Sequence, residues 1–317
     1  MILSMSIFSF PFRLKLLESM ECRITVLVRY RRAPCDERGT CVLTDLYAVI
    51  GNPVGHTKSP FIHKAFAAQT GQDLDYIAIE GTVGGFAADV DAWRAKGLRG
   101  LNVTAPFKLD AFAYADHLQD QARLAGAVNC LTFDAGGAEG ANYDGVGLVR
   151  DIVVNLGVKM KGLRILLLGS GGATRGAIAP FLAEQPAELV IGHRAQTDVK
   201  ALCAAYAGAG ALVAADYETL AQERGSGYDL VINATSTSLF GQAPPIQAHA
   251  FRPGGLAYDL SYGKGLTPFL RIAQQGGAGK IADGVGMLVE QAAESFFIWR
   301  GVRPGTAPLL ALLRAAS

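Results

Sequence analysis

The stretch LRILLLGSGGATRGAIAPFLAE (163–184) passes from an unbroken apolar run into a glycine-rich turn and then into a helix. Continuous apolar character marks a strand buried on both faces of a parallel sheet. Where such a strand turns into a helix, small residues let the backbone approach a pyrophosphate. The helix start adds N–H donors and the positive end of a dipole. Gly169, Ser170, Gly171, Gly172, Ala173, Thr174 and Arg175 therefore read as a dinucleotide-binding turn. The strict GxGxxG fingerprint is broken by Thr174 at its third position, and a tight turn with no ligand uses similar residues. The strand before it and the β–α alternation after it favour the cofactor reading.

That alternation continues in both directions. Downstream, ELVIG (188–192), DLVINAT (229–235) and LAYDL (256–260) read as strands with helices between them, and VGMLVEQAAESFFIWRG (285–301) as an apolar helix. Upstream, DGVGLVRDIVVNLG (144–157) reads as a helix leading into the second unit. Before it, strands are expected at YAVIG (47–51), DYIAIE (75–80), GLNVT (100–104) and AVNCLTF (127–133). Helices are expected at SPFIHKAFAAQTG (59–71), FAADVDAWRAKG (86–97) and PFKLDAFAYAD (106–116), the last with proline in its first turn. The fold class is α/β, with mostly parallel sheets.

The chain has 317 residues, enough for two domains, and half of them are apolar. A net charge of +1 offers nothing to nucleic acid or to a membrane surface. No apolar run reaches the roughly 18 residues of a spanning helix. Five cysteines, an odd number without CxxC spacing, fit a reducing cytoplasm. Residues 1–42 look foreign to the rest. They hold three of the cysteines, an apolar start (MILSMSIFSFPF) and a basic knot (VRYRR). The segment lacks the basic region and cleavage site of a secretory signal, and its acidic Glu18, Glu21, Asp36 and Glu37 argue against a transit peptide. It is expected to be a non-native or disordered extension, with initiation near Val42 or Leu43.

Individual residues suggest the chemistry. An NAD site normally places an acid after the second strand of the unit, on the ribose 2′-hydroxyl. Here ELVIG is followed by His193 and Arg194. No acid repels a 2′-phosphate there, and Arg194 can clamp one, so NADP is favoured over NAD. In NVTAPFK, Asn102, Thr104 and Lys108 fall at a strand end and in the first helical turn after it, where open α/β sheets bind ligands. A lysine at the positive end of a helix is electrostatically unfavourable, and that placement suits proton transfer. Asp144 in NYDG reads either as the N-cap of the following helix or as a carboxylate facing a cleft, and Asn129 as a turn residue or a polar ligand group. The five histidines form no metal-binding spacing, and no GxSxG elbow occurs.

In this order, GNPVGHTKSP, LNVTAPFK, AGAVNCL, NYDGVGL, GSGGATRG, INATSTS, YDLSYGKGLTPF and ADGVGMLVEQAA resemble the shikimate/quinate dehydrogenase family, from about Tyr47 to the C-terminus. The resemblance implies two domains with a cleft between them. Residues 43–144 with 285–317 would form an α/β substrate domain, and residues 145–284 a Rossmann-like NADP-binding domain. Lys108 and Asp144 would be the catalytic pair. Thr57 and Ser59 would bind the substrate carboxylate. Thr104, Asn129, Tyr262 and Gln291 would hold ring hydroxyls, with Asn102 supporting the loop. The turn from Gly169 to Arg175 would wrap the pyrophosphate, with Arg194 on the 2′-phosphate beside His193. Thr235, Ser236, Leu260 and Gly284 would line the nicotinamide side.

The implied reaction is the NADPH-dependent, reversible reduction of 3-dehydroshikimate to shikimate in aromatic amino-acid biosynthesis, by a cytoplasmic monomer or homodimer with no metal, nucleic-acid or membrane partner. The alternatives are a quinate/shikimate dehydrogenase with relaxed NAD(P) use, and a non-catalytic NADP-binding sensor. Three positions depart from the family pattern. Thr57 stands where serine is usual, Tyr143 stands where threonine is common, and GHRAQTD replaces a more basic cofactor segment. In that segment His193, Ala195 and Asp198 are expected to weaken the 2′-phosphate site.

Overall fold

The computed structural model describes residues 44–315, apart from 195–198, 224 and 264. The expected extension at 1–42, and Ala195 and Asp198, lie outside the described residues. The first part of the chain builds β1 (Asp45–Gly51), α1 (Ser59–Thr70), β2 (Leu74–Glu80), α2 (Phe86–Arg94), β3 (Leu98–Val103), α3 (Lys108–Tyr114), β4 (His117–Leu118), α4 (Asp120–Ala125), β5 (Cys130–Asp134) and β6 (Gly137–Ala141). Their sheet has the order β2-β1-β3-β5-β6-β4. It is parallel across β2-β1-β3 and antiparallel where β5 meets β3 and β6.

Helix α5 (Asp144–Arg150) then leads through a π-helical turn, Asp151–Asn155, into a second sheet. Here β7 (Arg164–Leu168), α6 (Gly172–Ala183), β8 (Glu188–His193), α7 (Lys200–Ala204), β9 (Leu212–Asp216), α8 (Tyr217–Gln222), β10 (Tyr228–Asn233), β11 (Phe251–Asp259), α9 (Pro268–Gln275) and β12 (Lys280–Asp283) follow one another. Every pairing in this sheet is parallel, in the order β12-β11-β10-β7-β8-β9. The chain starts at β7, winds outward to β9 and returns to β10 on the other side. The crevice between β7 and β10 is therefore the topological switch point of a doubly wound sheet, where dinucleotides bind. Helices α10 (Val285–Arg300) and α11 (Ala307–Ala315) complete the fold. No helix among the described residues is long and apolar enough to cross a membrane.

Each sheet buries apolar side chains on both faces, as the unbroken runs in β1 and β7 require. Val49, Ile62, Phe66, Val289 and Phe296 pack on one face of the first sheet, and Ile50, Leu101, Phe107 and Leu131 on the other. Thus α10, from the far end of the sequence, is part of the core built on β1. It also lies against α5, where Arg150 pairs with the buried Glu290 at 3.0 Å. Gly145 permits a close crossing of α5 and α6, since a Cβ there would stand 2.2 Å from the Gly176 carbonyl oxygen.

Several boundaries differ from the sequence reading. The helix expected from Pro106 begins at Lys108, and the strand expected from Ala127 begins at Cys130. The helix expected to run unbroken from residue 144 to 157 widens into the π-helical turn. Strands β4, β6, β9 and β12 had no clear signal. β6 is GAEGA, poor in strand formers. β4 and β12 have two and four residues, and β9 is a half-exposed strand at the sheet edge.

His63 of α1 is fully buried and stacks on Tyr76 at 4.0 Å between ring centroids, with Trp299 at 5.5 Å. Burial pushes its pKa from the usual 6.5 down to about 3. The unfolded chain takes up this proton below about 6.5 while the folded protein stays neutral, so stability is lost as pH falls through that window. Between pH 7 and pH 5 the loss from this residue is about 2 kcal/mol. His63→Phe should remove that part of the pH dependence in denaturant unfolding, and a variant as pH-sensitive as the parent would contradict the assignment.

Candidate active site

The C-terminal ends of β1 and β3 and the starts of α3, α5 and α6 converge on a cleft of about 220 Å³. Lys108 is the first residue of α3 and Asp144 the first of α5, and the lysine Nζ donates to one carboxylate oxygen of Asp144. Asn129 Nδ2 donates to the other oxygen at 2.8 Å, and Asn129 Oδ1 accepts from the Tyr143 N–H at 2.9 Å. Both carboxylate oxygens are thus fixed, one by a cation and one by an amide. Lys108 is itself anchored by the buried Phe107 before it and by the Val128 N–H, which donates to the Lys108 carbonyl at 3.0 Å.

The N-cap reading of Asp144 is corrected. The cap position is Tyr143, and no side chain caps α5. Asn142 Oδ1 accepts from the Asp144 N–H at 3.2 Å, while Asn142 Nδ2 donates to the Ala127 carbonyl at 3.0 Å. Asn142 takes over the local backbone, and the Asp144 carboxylate is left to face Lys108. Sequence reading passed over Asn142, although its place in NYDG beside the aspartate was the available signal.

The other expected substrate residues gather here. Ser59, Asn102, Thr104, Tyr262 and Gln291 line the same cleft, with Val49, Val103, Met287 and Leu288 as apolar walls that sequence reading missed. Thr57 is not among the lining residues; its hydroxyl donates to Ser59 Oγ at 3.2 Å. Asn102 is held from behind, accepting from the Tyr76 hydroxyl at 2.7 Å and donating to Ser295 Oγ at 2.8 Å. Burial raises the Tyr262 pKa above its usual value, so the phenol stays protonated and can donate. Tyr143 is the departure nearest the ion pair, yet its side chain turns away. It packs with Cys130, Ala141 and Trp299, and its hydroxyl donates to Gln119 Oε1 at 3.2 Å.

The glycine-rich turn joins the same cleft. Ala173, Leu260 and Gly284 are lining residues, and a Cβ on Gly172 would lie 3.9 Å from Lys108 Cδ. Gly169 has φ +105, a left-handed conformation that favours glycine, and it faces Thr235 beyond β10. A Cβ on Gly171 would meet nothing within 4 Å, so the turn is open on that side. Ser170 and Arg175 are half-buried near it, while Thr174 is fully buried in α6. Ser236 is exposed just after Thr235. His193 and Arg194 lie at the end of β8, outside the cleft, with His193 Nδ1 2.8 Å from the Arg194 carbonyl oxygen. An acid on the neighbouring strand, Asp216, is paired with His193 in strand register and accepts from the Thr219 N–H at 2.8 Å, capping α8. Among the described residues, no group of three His, Cys, Asp or Glu could hold a metal ion.

This geometry makes Asn142 a support of the ion pair rather than a ligand group. Asn142→Ala would orphan the Asp144 N–H and the Ala127 carbonyl, both buried, and should cost about 2–3 kcal/mol in denaturant unfolding. Tyr143→Phe, which removes one ordinary hydrogen bond, should cost about 1 kcal/mol. Equal stability of Asn142→Ala and the parent would contradict this arrangement.

Comparison with known proteins agrees with the geometry. The family profile for the shikimate dehydrogenase substrate binding domain matches residues 49–131, and that for the shikimate 5′-dehydrogenase C-terminal domain matches residues 284–314. A shikimate dehydrogenase (NADP(+)) of Nitrosospira multiformis is 53% identical, over 86% of this chain and 98% of its own length. An Ael1 enzyme of Pseudomonas putida, a crystal structure, is 50% identical with a TM-score of 0.78, over 85% of this chain and 98% of its own. The shikimate 5-dehydrogenase of Thermus thermophilus, solved with NADP(H) and shikimate, is 30% identical with a TM-score of 0.74, over 86% and 99%. With its ion pair and glycine-rich turn on one cleft and relatives this similar over nearly their whole length, the chain belongs to the shikimate dehydrogenase family.

Proposed function

We propose that this protein is an NADP-dependent shikimate dehydrogenase, reducing 3-dehydroshikimate to shikimate and running in reverse with NADP⁺. The observation that carries the reading is the meeting of Lys108, Asp144 and the start of α6 in one cleft. The cleft suits a small anionic polyol. Among the described residues it offers Ser59, Thr104, Asn129, Tyr262 and Gln291 as neutral hydrogen-bonding side chains and one ion pair. Each hydroxyl of the right ligand can be matched there, and one lacking a hydroxyl would leave a polar group unpaired. Thr57 and Ser59, joined by their own hydrogen bond, would receive the carboxylate.

The cofactor site fits the same account. The open turn at Gly169–Gly172 and the N-terminus of α6 would hold the pyrophosphate. Arg194, exposed beyond β8, would meet the 2′-phosphate, since Asp216 is occupied in capping α8. When bound, NADPH supplies the hydride. Lys108 places its positive charge beside the developing alkoxide and delivers or relays the proton to it. Asp144, fixed by Asn129, orients Lys108 and accepts from the substrate hydroxyl in the reverse direction. The reading divides the chain into a substrate part, 43–144 with 285–317, and a cofactor part, 145–284. It places the enzyme in the cytoplasm, where Cys130 and Cys203 would stay as free thiols.

Steady-state assays with shikimate and quinate, each with NADP⁺ and NAD⁺, test the reading. Shikimate with NADP⁺ should be the best pair, and faster turnover of quinate would contradict it. Lys108→Ala should lower kcat about 10²–10⁴-fold, the usual scale of general acid–base help, while NADP⁺ binding by fluorescence titration stays near the parent value. Undiminished turnover would remove Lys108 from the mechanism. Arg194→Ala should raise KM for NADP⁺ about tenfold or more, the worth of a charge-assisted hydrogen bond, and leave KM for NAD⁺ unchanged. An equal rise for both coenzymes would place the 2′-phosphate elsewhere.

A further inference from the structure

A second buried carboxylate lies beside the cleft. Asp259 ends β11, in register with Asn233 at the end of β10, and is fully buried. Among the described residues it pairs with no cation. Four neutral donors surround it instead. Asn233 Nδ2 at 3.3 Å and the Ser261 N–H at 3.0 Å donate to Oδ1, while Ser238 Oγ at 2.6 Å and Thr267 Oγ1 at 2.7 Å donate to Oδ2.

The direction of these bonds is set from outside. Ser238 Oγ already accepts from Asn233 Nδ2 at 3.1 Å, and Thr267 Oγ1 accepts from the Leu270 N–H at 3.3 Å as the N-cap of α9. Each hydroxyl must therefore give its proton to residue 259. Only a group that accepts on both oxygens matches four donors; an asparagine would press its own N–H₂ against two of them.

The cluster joins the loop after β10 to one wall of the cleft. In one direction Asn233 Oδ1 accepts from Thr235, from its N–H at 3.1 Å and its hydroxyl at 2.6 Å, and so sets the loop that faces Gly169. In the other, the bond to the Ser261 N–H fixes the backbone between Leu260 and Tyr262, both of which line the cleft.

We propose that Asp259 is a positioning residue for hydride transfer. It sets the nicotinamide wall, Thr235 and Leu260, against the substrate wall that carries Tyr262, while touching neither ligand. The inference rests on the dehydrogenase reading above.

The test is Asp259→Asn, assayed for 3-dehydroshikimate reduction with NADPH and with NADPH deuterated at the transferred position, alongside NADP⁺ affinity and thermal unfolding. The expected result is a kcat about 10²-fold lower, the scale of a misplaced reacting pair, with a larger primary isotope effect and NADP⁺ affinity close to the parent's. Ser238→Ala keeps the carboxylate and removes one donor; it should lower kcat about tenfold with the same isotope signature, and it decides the matter if Asp259→Asn does not fold. Parent-like kcat in whichever variant folds overturns the proposal. So does a loss of kcat and NADP⁺ affinity by the same factor with an unchanged isotope effect, the signature of general damage. A parent enzyme without 3-dehydroshikimate reduction would instead refute the dehydrogenase reading, and this inference with it.

Discussion

The ion pair between Lys108 and Asp144 is the contact on which the rest of the structure turns. Two half-exposed charges on a surface would gain little from pairing. Here the carboxylate is buried, its second oxygen is held by Asn129, and the lysine starts a helix that would otherwise repel it. Removing either partner would leave the other poorly solvated. The pair also needs a specific fold. Lys108 follows the third strand of the first sheet, and Asp144 opens the helix that leads toward the second. Both must stand at the C-terminal ends of their strands for the charges to meet at the cleft.

The second sheet answers to the same place. Its switch point lies between β7 and β10, and the turn after β7 runs past Lys108 close enough that a single methyl on Gly172 would lie in van der Waals range of the lysine stem. The close crossing of α5 and α6 at Gly145 holds that turn near Asp144. The ion pair and the glycine-rich turn are thus brought together by helix packing. Among the described lining residues, serine, threonine, asparagine, glutamine and tyrosine side chains keep the walls neutral apart from the one pair. A triply hydroxylated acid needs such walls, since its carboxylate and hydroxyls find donors and acceptors without a second buried charge.

Much of this was legible in the residues themselves. The unbroken runs at YAVIG and LRILLLG, and the glycines that follow them, identified strands with ligand-bearing ends because continuous apolarity and helix-opening turns have direct physical causes. Lys108 and Asp144 were singled out by their positions at element starts, and the order of eight motifs brought them to one site. Other features depend on packing that periodicity does not encode. The direction of the Tyr143 side chain is set by a pocket of Cys130 on β5, Ala141 on β6 and Trp299 on α10. Asn142, not Asp144, serves the backbone at α5, a choice between adjacent polar residues that spacing leaves open. His63 is an ordinary polar residue in the sequence and a neutral aromatic in the core. Asp259 reads as the polar end of an apolar strand, and its four donors become visible only when β10 and β11 lie side by side.

The central claim is that the ammonium of residue 108 and the carboxylate of residue 144 act on one substrate hydroxyl. The most direct measurement is a crystal structure of the ternary complex with shikimate and NADP⁺. The account predicts the hydroxyl to be oxidised within about 3 Å of Lys108 Nζ or an Asp144 oxygen, on the side of the ring facing the turn at Gly172. A substrate bound with that hydroxyl directed away from both groups would contradict it.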